Sequence, residues 1–192
     1  GRTDVAWTGS DFVFVSAHTS HFEPFPTCAM YLHRMSADGE IIADDIQLTE
    51  DGSSRSSTIA WNGEYIGFVA PVATFKFIEV TGMDRSDGID LSPSSGSSGI
   101  FYAEDQFYLV DMLDSALKIS LVNNIPEQIS TPDIFYRDDS LMFATFAADL
   151  PPRPSMSWSG SRLGLAWYSL NESGGYSAYF TESSTNGIRA GD

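Results

Sequence analysis

Basic residues are scarce in this chain. Ten Lys+Arg stand against 26 Asp+Glu, the net charge is −16, and only two of the ten are lysines, Lys76 and Lys118. Phosphate neutralisation needs clustered Lys/Arg, so the balance excludes nucleic-acid binding through a broad basic face. It also disfavours an anionic membrane surface. A single cysteine, Cys28, excludes an internal disulfide framework. Without a partner motif it reads as a buried, idle thiol and not as a nucleophile. No stretch reaches the roughly 18 apolar residues of a membrane-spanning helix. The longest, Tyr65 to Phe75, is interrupted by Pro71, so membrane insertion is not expected. The chain opens on Gly-Arg-Thr-Asp, without Met and without an apolar leader core, and reads as a mature or excised segment with no signal peptide. Gly-rich phosphate loops, Cys/His zinc spacings and a Gly-x-Ser-x-Gly elbow are all missing. So is any sustained apolar stripe at helical spacing, and almost no helix is expected.

What is present is apolar alternation. The 192 residues are 42% hydrophobic and 13% aromatic, enough for one domain, or two small ones, with a real core. An internal repeat organises them. Val5-Ala6-Trp7-Thr8-Gly9, Ile59-Ala60-Trp61-Asn62-Gly63 and Met156-Ser157-Trp158-Ser159-Gly160 share one form, and each is followed by an alternating apolar run. Two weaker copies, around Tyr102 and Tyr136, place Tyr for Trp and an acid for Gly. The segment before the glycine reads as a short strand with an inward aromatic. The polar-Gly step is a hairpin turn in which glycine tolerates positive φ, and the alternation after it is the second strand. Third strands are predicted over residues 29–35, 75–80, 117–122 and 176–181. Asp38-Gly39, Asp87-Gly88 and Asn186-Gly187 are the turns that follow, and 41–48 is a fourth strand.

Four antiparallel strands in about 40–55 residues match a propeller blade. A β-sandwich with coincidental Trp-Gly turns is the competing architecture. The expected fold is all-β and β-propeller-like, with about four to five antiparallel blades. The units lie near 1–50, 51–95, 96–131, 132–152 and 153–192, and the ring is partial or completed by assembly. Leu32-His33-Arg34-Met35-Ser36-Ala37-Asp38-Gly39 through Ile59-Ala60-Trp61-Asn62-Gly63 resembles the β-propeller-like repeats of secreted bacterial proteins. Those repeats alternate a Trp-Asn-Gly hairpin with an Arg-hydrophobic-Ser-x-Asp-Gly hairpin. The resemblance implies a propeller at the cell surface or outside the cell, and no particular activity. Ser36-Ala37-Asp38-Gly39 is also similar to a sialidase Asp-box. Its glycine comes one residue early and no Trp follows, so it reads as a turn.

The first candidate site is the loop joining strands two and three of the first unit, with His18, His21, Phe22, Glu23 and Phe25. Two histidines three residues apart plus Glu23 suit a transition metal, against a Pro-rich surface loop packed on the blade. His33, within a strand, reads as structural. Asp84, Asp87 and Asp90 offer oxygen ligands for calcium but lack EF-hand spacing. A solvated hairpin is the simpler reading there and at Asp44-Asp45, and no cofactor is called for. Glu104, Asp105, Asp111, Asp114, Asp138 and Asp139 supply acids for glycoside hydrolysis, but neighbours on a strand face opposite ways, so no pair is singled out. Trp167, Tyr168, Tyr108 and Phe22 are candidate sugar platforms, whereas Trp7, Trp61 and Trp158 read as core. Arg153, Asn171 and Glu172 complete the candidate ligand contacts.

The expected role is therefore a secreted or surface-exposed, non-catalytic binding or assembly module with a protein or glycan partner. One alternative is a lectin or glycoside-active enzyme using the same loop face. The other is a structural subunit of a homo-oligomer or larger extracellular assembly.

Overall fold

The computed structural model describes residues 3–20, 27–49, 57–70, 74–81, 89–90, 99–113, 116–123, 133–137, 155–170 and 176–183. Every regular element among them is a β-strand, and no helix there is long and apolar enough to cross a membrane. The strands form antiparallel sheets with sequential neighbours paired, the pattern of propeller blades. By contact the chain divides into two compact units, Gly1–Pro93 and Ser94–Asp192.

The first unit holds two sheets. One contains β1 (Asp4–Trp7), β2 (Asp11–Ser20), β3 (Thr27–Ser36) and β4 (Ile46–Gln47) in sequential order. The other contains β5 (Thr58–Trp61), β6 (Ile66–Ala70), β7 (Thr74–Ile78) and β8 (Ile89–Asp90), likewise in order. Period-two alternation decides which faces meet. Val13 and Val15 of β2 and Met30 and Leu32 of β3 point one way. They pack on Ile59, Ile66, Phe68 and Ile78 of the second sheet. Val13, Met30, Leu32, Ile66, Phe68 and Ile78 are wholly shielded from solvent, and burying side chains of this size contributes about 1.5–3 kcal/mol each. Asp4 ties the sheets together at their shared end. Its Oδ2 accepts Thr58 Oγ1–H at 2.5 Å and the Ile59 N–H at 2.9 Å.

The second unit repeats the scheme. Its first sheet contains β9 (Gly99–Ala103), β10 (Gln106–Leu113), β11 (Ala116–Asn123) and β12 (Asp133–Arg137). Its second contains β13 (Ser155–Trp158), β14 (Leu163–Leu170) and β15 (Tyr176–Ser183). Ala103, Tyr108 and Val110 pack on Leu163, Leu165 and Trp167. Tyr136 lies on β12, the edge strand of the β9–β12 sheet.

The repeat seen in the sequence is a hairpin of fixed register. In each of four sheets the aromatic pairs with the residue five positions on: Trp7 with Phe12, Trp61 with Ile66, Tyr102 with Phe107, Trp158 with Leu163. The polar residue after each Trp closes the turn. Thr8 Oγ1 accepts the Asp11 N–H, Asn62 Oδ1 accepts those of Glu64 and Tyr65, and Ser159 Oγ accepts that of Arg162. These are the Asx and Ser/Thr turns of short polar side chains. Gly9, Gly63 and Gly160 then take φ of 101°, 101° and 95°, a region that glycine enters without Cβ strain. In the Tyr102 copy two acids take this role, Glu104 at φ 48° and Asp105 at φ 59°.

Candidate functional site

The face of the first sheet turned away from its core carries the chemistry. Alternation on β2 puts Phe12, Phe14, Ser16 and His18 there, opposite Val13, Val15 and Ala17. On β3 it puts Tyr31, His33 and Met35 there. Cross-strand pairing sets Phe14 against His33, Ser16 against Tyr31, and Tyr31 against Gln47. Continuing the last register by one step of the pleat brings Asp45 opposite His33.

His33 is the hub. It is 7% exposed, and both ring nitrogens have partners. Nδ1 lies 2.5 Å from Asp45 Oδ1, and Nε2 lies 2.7 Å from Ser16 Oγ. Phe14 stacks on its ring at 4.7 Å and 19°. A buried imidazole in an acidic chain is thus fully hydrogen-bonded, as burial requires. Asp45, with a side chain 47% exposed, opens the pair to solvent. His18 lies beside it, its ring 5.5 Å from that of His33 and stacked on Tyr31 at 4.4 Å and 23°. The Tyr31 hydroxyl donates to Gln47 Oε1 at 3.3 Å. One ligand atom from each of His18, His33 and Asp45 falls within 4.8 Å of the others.

Two further features frame this patch. At the hairpin end of the same face, Val5, Trp7 and Ile41 are 59%, 46% and 67% exposed. Beside the Asp38-Gly39 turn, Arg34 pairs with Asp11 at 2.5 Å and the Ser36 hydroxyl accepts the Glu40 N–H. The Arg-x-Ser-x-Asp-Gly pattern is therefore a structural corner: the arginine clamps β2 to β3 and the serine closes the turn.

Of the ligand contacts expected from sequence, only His18 falls among the described residues. His21, Phe22, Glu23, Phe25, Arg153, Asn171 and Glu172 lie outside them. So do Asp84 and Asp87, and Asp90 is described only as part of the β8 backbone. Three aromatic assignments change. Trp167 and Tyr108 are 4% and 3% exposed. They share the inward face of their strands with Leu165 and Val110, so they are core and not platforms. Trp7 was expected in the core and is open, because the inward residues of β1 are Asp4 and Ala6. Ser16, Tyr31, Asp45 and Gln47 were not singled out as site residues. The readable signal was the alternation that places Ser16 and His18 on one face.

No protein-family model matches the chain, and no curated protein sequence matches it significantly. Solved structures do match its fold. An alpha-L-arabinofuranosidase from Podospora anserina, in complex with cellotriose, aligns over 98% of this chain and 65% of its own, with TM-score 0.60 and 11% identity. A GH43 protein from Bacillus licheniformis aligns over 97% of this chain and 42% of its own, with TM-score 0.59 and 10% identity. An auxiliary nutrient binding protein from Bacteroides ovatus aligns over 92% of this chain and 46% of its own, with TM-score 0.50 and 18% identity. The chain spans less than two thirds of each of these proteins. The first two are five-bladed β-propeller glycoside hydrolases, and the fold of this chain is accordingly all-β and partial-propeller in type.

Proposed function

We propose that the chain is a carbohydrate-binding module of a β-propeller protein that works outside the cell or at its surface. The observation that carries this reading is the stack of exposed His18 on half-buried Tyr31, rimmed by Gln47 and Asp45. A sugar ring offers an apolar face and a belt of hydroxyls. An aromatic stack beside an amide and a carboxylate matches both, since binding sites join apolar surface to a few placed polar groups. The fold relatives that act on arabinofuranosides or bind nutrients support the same substrate class. The net charge of −16 favours neutral sugars over acidic ones, because a like-charged ligand is repelled.

The test is affinity electrophoresis through gels containing arabinoxylan, mixed-linkage β-glucan or an acidic pectin. Retardation by a neutral polysaccharide, lost in Tyr31→Ala, supports the reading. Unretarded migration in every gel, or equal retardation of Tyr31→Ala, overturns it.

A second reading has its own observation. The exposed Val5, Trp7 and Ile41 make an apolar strip at the hairpin end of the same face, suited to cover by another sheet or subunit. Light scattering across a concentration series tests it. A mass that rises with concentration and stays monomeric in Trp7→Ser supports assembly, and a constant monomer mass removes it.

A further inference from the structure

We infer that His18, His33 and Asp45 form a binding site for a divalent transition metal on the outward face of the first sheet. The site shares His18 and Asp45 with the proposed sugar patch, but its test uses no sugar, so either reading can fail without the other. Two neighbouring strands, β2 and β3, and the residue just before β4 deliver two imidazoles and one carboxylate to one point, with a ligand atom from each inside 4.8 Å. That donor set suits zinc, nickel or copper, whereas calcium and magnesium take oxygen ligands.

The hub residue is prepared for the role. Nδ1 of His33 and Oδ1 of Asp45 face each other at 2.5 Å, a hydrogen bond whose bridging proton a metal ion can replace. Ser16 Oγ sits 2.7 Å from Nε2. It can accept an N–H there, which leaves the Nδ1 lone pair for the metal. A ligating histidine commonly carries such a partner on its second nitrogen, and the partner fixes its tautomer and ring plane. Phe14, stacked on the ring, holds that plane from the apolar side.

Small movements admit the ion. Zinc–ligand bonds are about 2.0–2.1 Å, so two ligands of a tetrahedral zinc stand roughly 3.3 Å apart. Asp45 and His18 are both exposed and can take up the change, Asp45 moving out and His18 moving in, while His33 stays in place. Three protein ligands leave one position of a tetrahedral ion open to water or a ligand group.

The probe is the metal alone. Titration calorimetry with zinc chloride on the metal-free full chain should give one site per chain, with a Kd on the order of 1 μM or tighter. Addition of Co²⁺ should produce visible d–d absorption, which zinc then abolishes. His18→Gln and Asp45→Asn alter exposed residues and should fold, as far-UV circular dichroism checks. Each should weaken zinc about tenfold or more, and Ser16→Ala by a smaller factor in the same direction. The absence of a Co²⁺ spectrum, or a Kd above about 1 mM, overturns the site. So does unchanged affinity in His18→Gln. Loss of binding in His21→Gln/Glu23→Gln, with His18→Gln unaffected, would place the metal in the neighbouring loop and equally overturn this assignment.

Discussion

Asp4 joins the two sheets of the first unit, and its removal should show how much that junction contributes. Its Oδ2 accepts hydrogen bonds from the Thr58 hydroxyl and the Ile59 amide. Both partner residues are 4% exposed. Asp4→Ala deletes the two bonds between the sheets, along with an exposed one from the Val5 N–H to Oδ1, and leaves two shielded donors. Each unsatisfied donor costs about 1–3 kcal/mol, and the two share one acceptor, so a loss near 3 kcal/mol is expected. For a chain of this length that lowers the melting midpoint by roughly 6–12 °C, at about 2–4 °C per kcal/mol. Asp4→Asn keeps the shape and one acceptor oxygen, and should cost about half as much. Thr58→Val removes one donor with its partner still in place. In a double-mutant cycle with Asp4→Ala the coupling should reach about 1–2 kcal/mol. The assay is urea unfolding followed by far-UV circular dichroism and tryptophan fluorescence. A cost below about 0.5 kcal/mol for Asp4→Ala, the range of ordinary surface changes, would refute the reasoning.

Other outcomes follow from the turns and the core. Glu104→Asn with Asp105→Gly supplies the residues that a two-residue turn with positive φ prefers, and should raise stability by about 1 kcal/mol in urea unfolding. Gly63→Ala meets no atom within 4 Å, so its expected loss of about 1 kcal/mol comes from the backbone at φ 101° alone. Gly63→Asn, which tolerates that region, should lose less. Phe68→Ala empties a wholly buried position and should cost about 3–5 kcal/mol in the same measurement.

The hairpins were legible because their chemistry is local. Left-handed φ selects glycine, and the short polar residue before it closes the turn, so Trp-Thr-Gly, Trp-Asn-Gly and Trp-Ser-Gly announce one geometry. The Glu104-Asp105 turn keeps the register without the glycine, and only its spacing between aromatic strands marked it. The His18–His33–Asp45 cluster was harder to read. Its members are 15 and 12 residues apart in pairs, and they meet through the register of β2 and β3 and the approach of the chain to β4, which no local pattern states. Pairing His18 with His21 and Glu23 follows sequence proximity and lies outside the described residues, whereas the neighbours that the structure gives His18, namely Tyr31 and His33, lie across the ladder. The status of Trp7, Tyr108 and Trp167 turned on which face of each strand is covered. Alternation groups residues by face but does not say which face is inward.

The most direct test of the carbohydrate reading is amide chemical-shift mapping of the ¹⁵N-labelled chain during titration with cellotriose and with arabinoxylan oligosaccharides. The account predicts saturable shifts centred on His18, Tyr31, Asp45 and Gln47, abolished by Tyr31→Ala. Shifts confined to Ser94–Asp192, or no shift with any of these sugars at millimolar concentration, would contradict it.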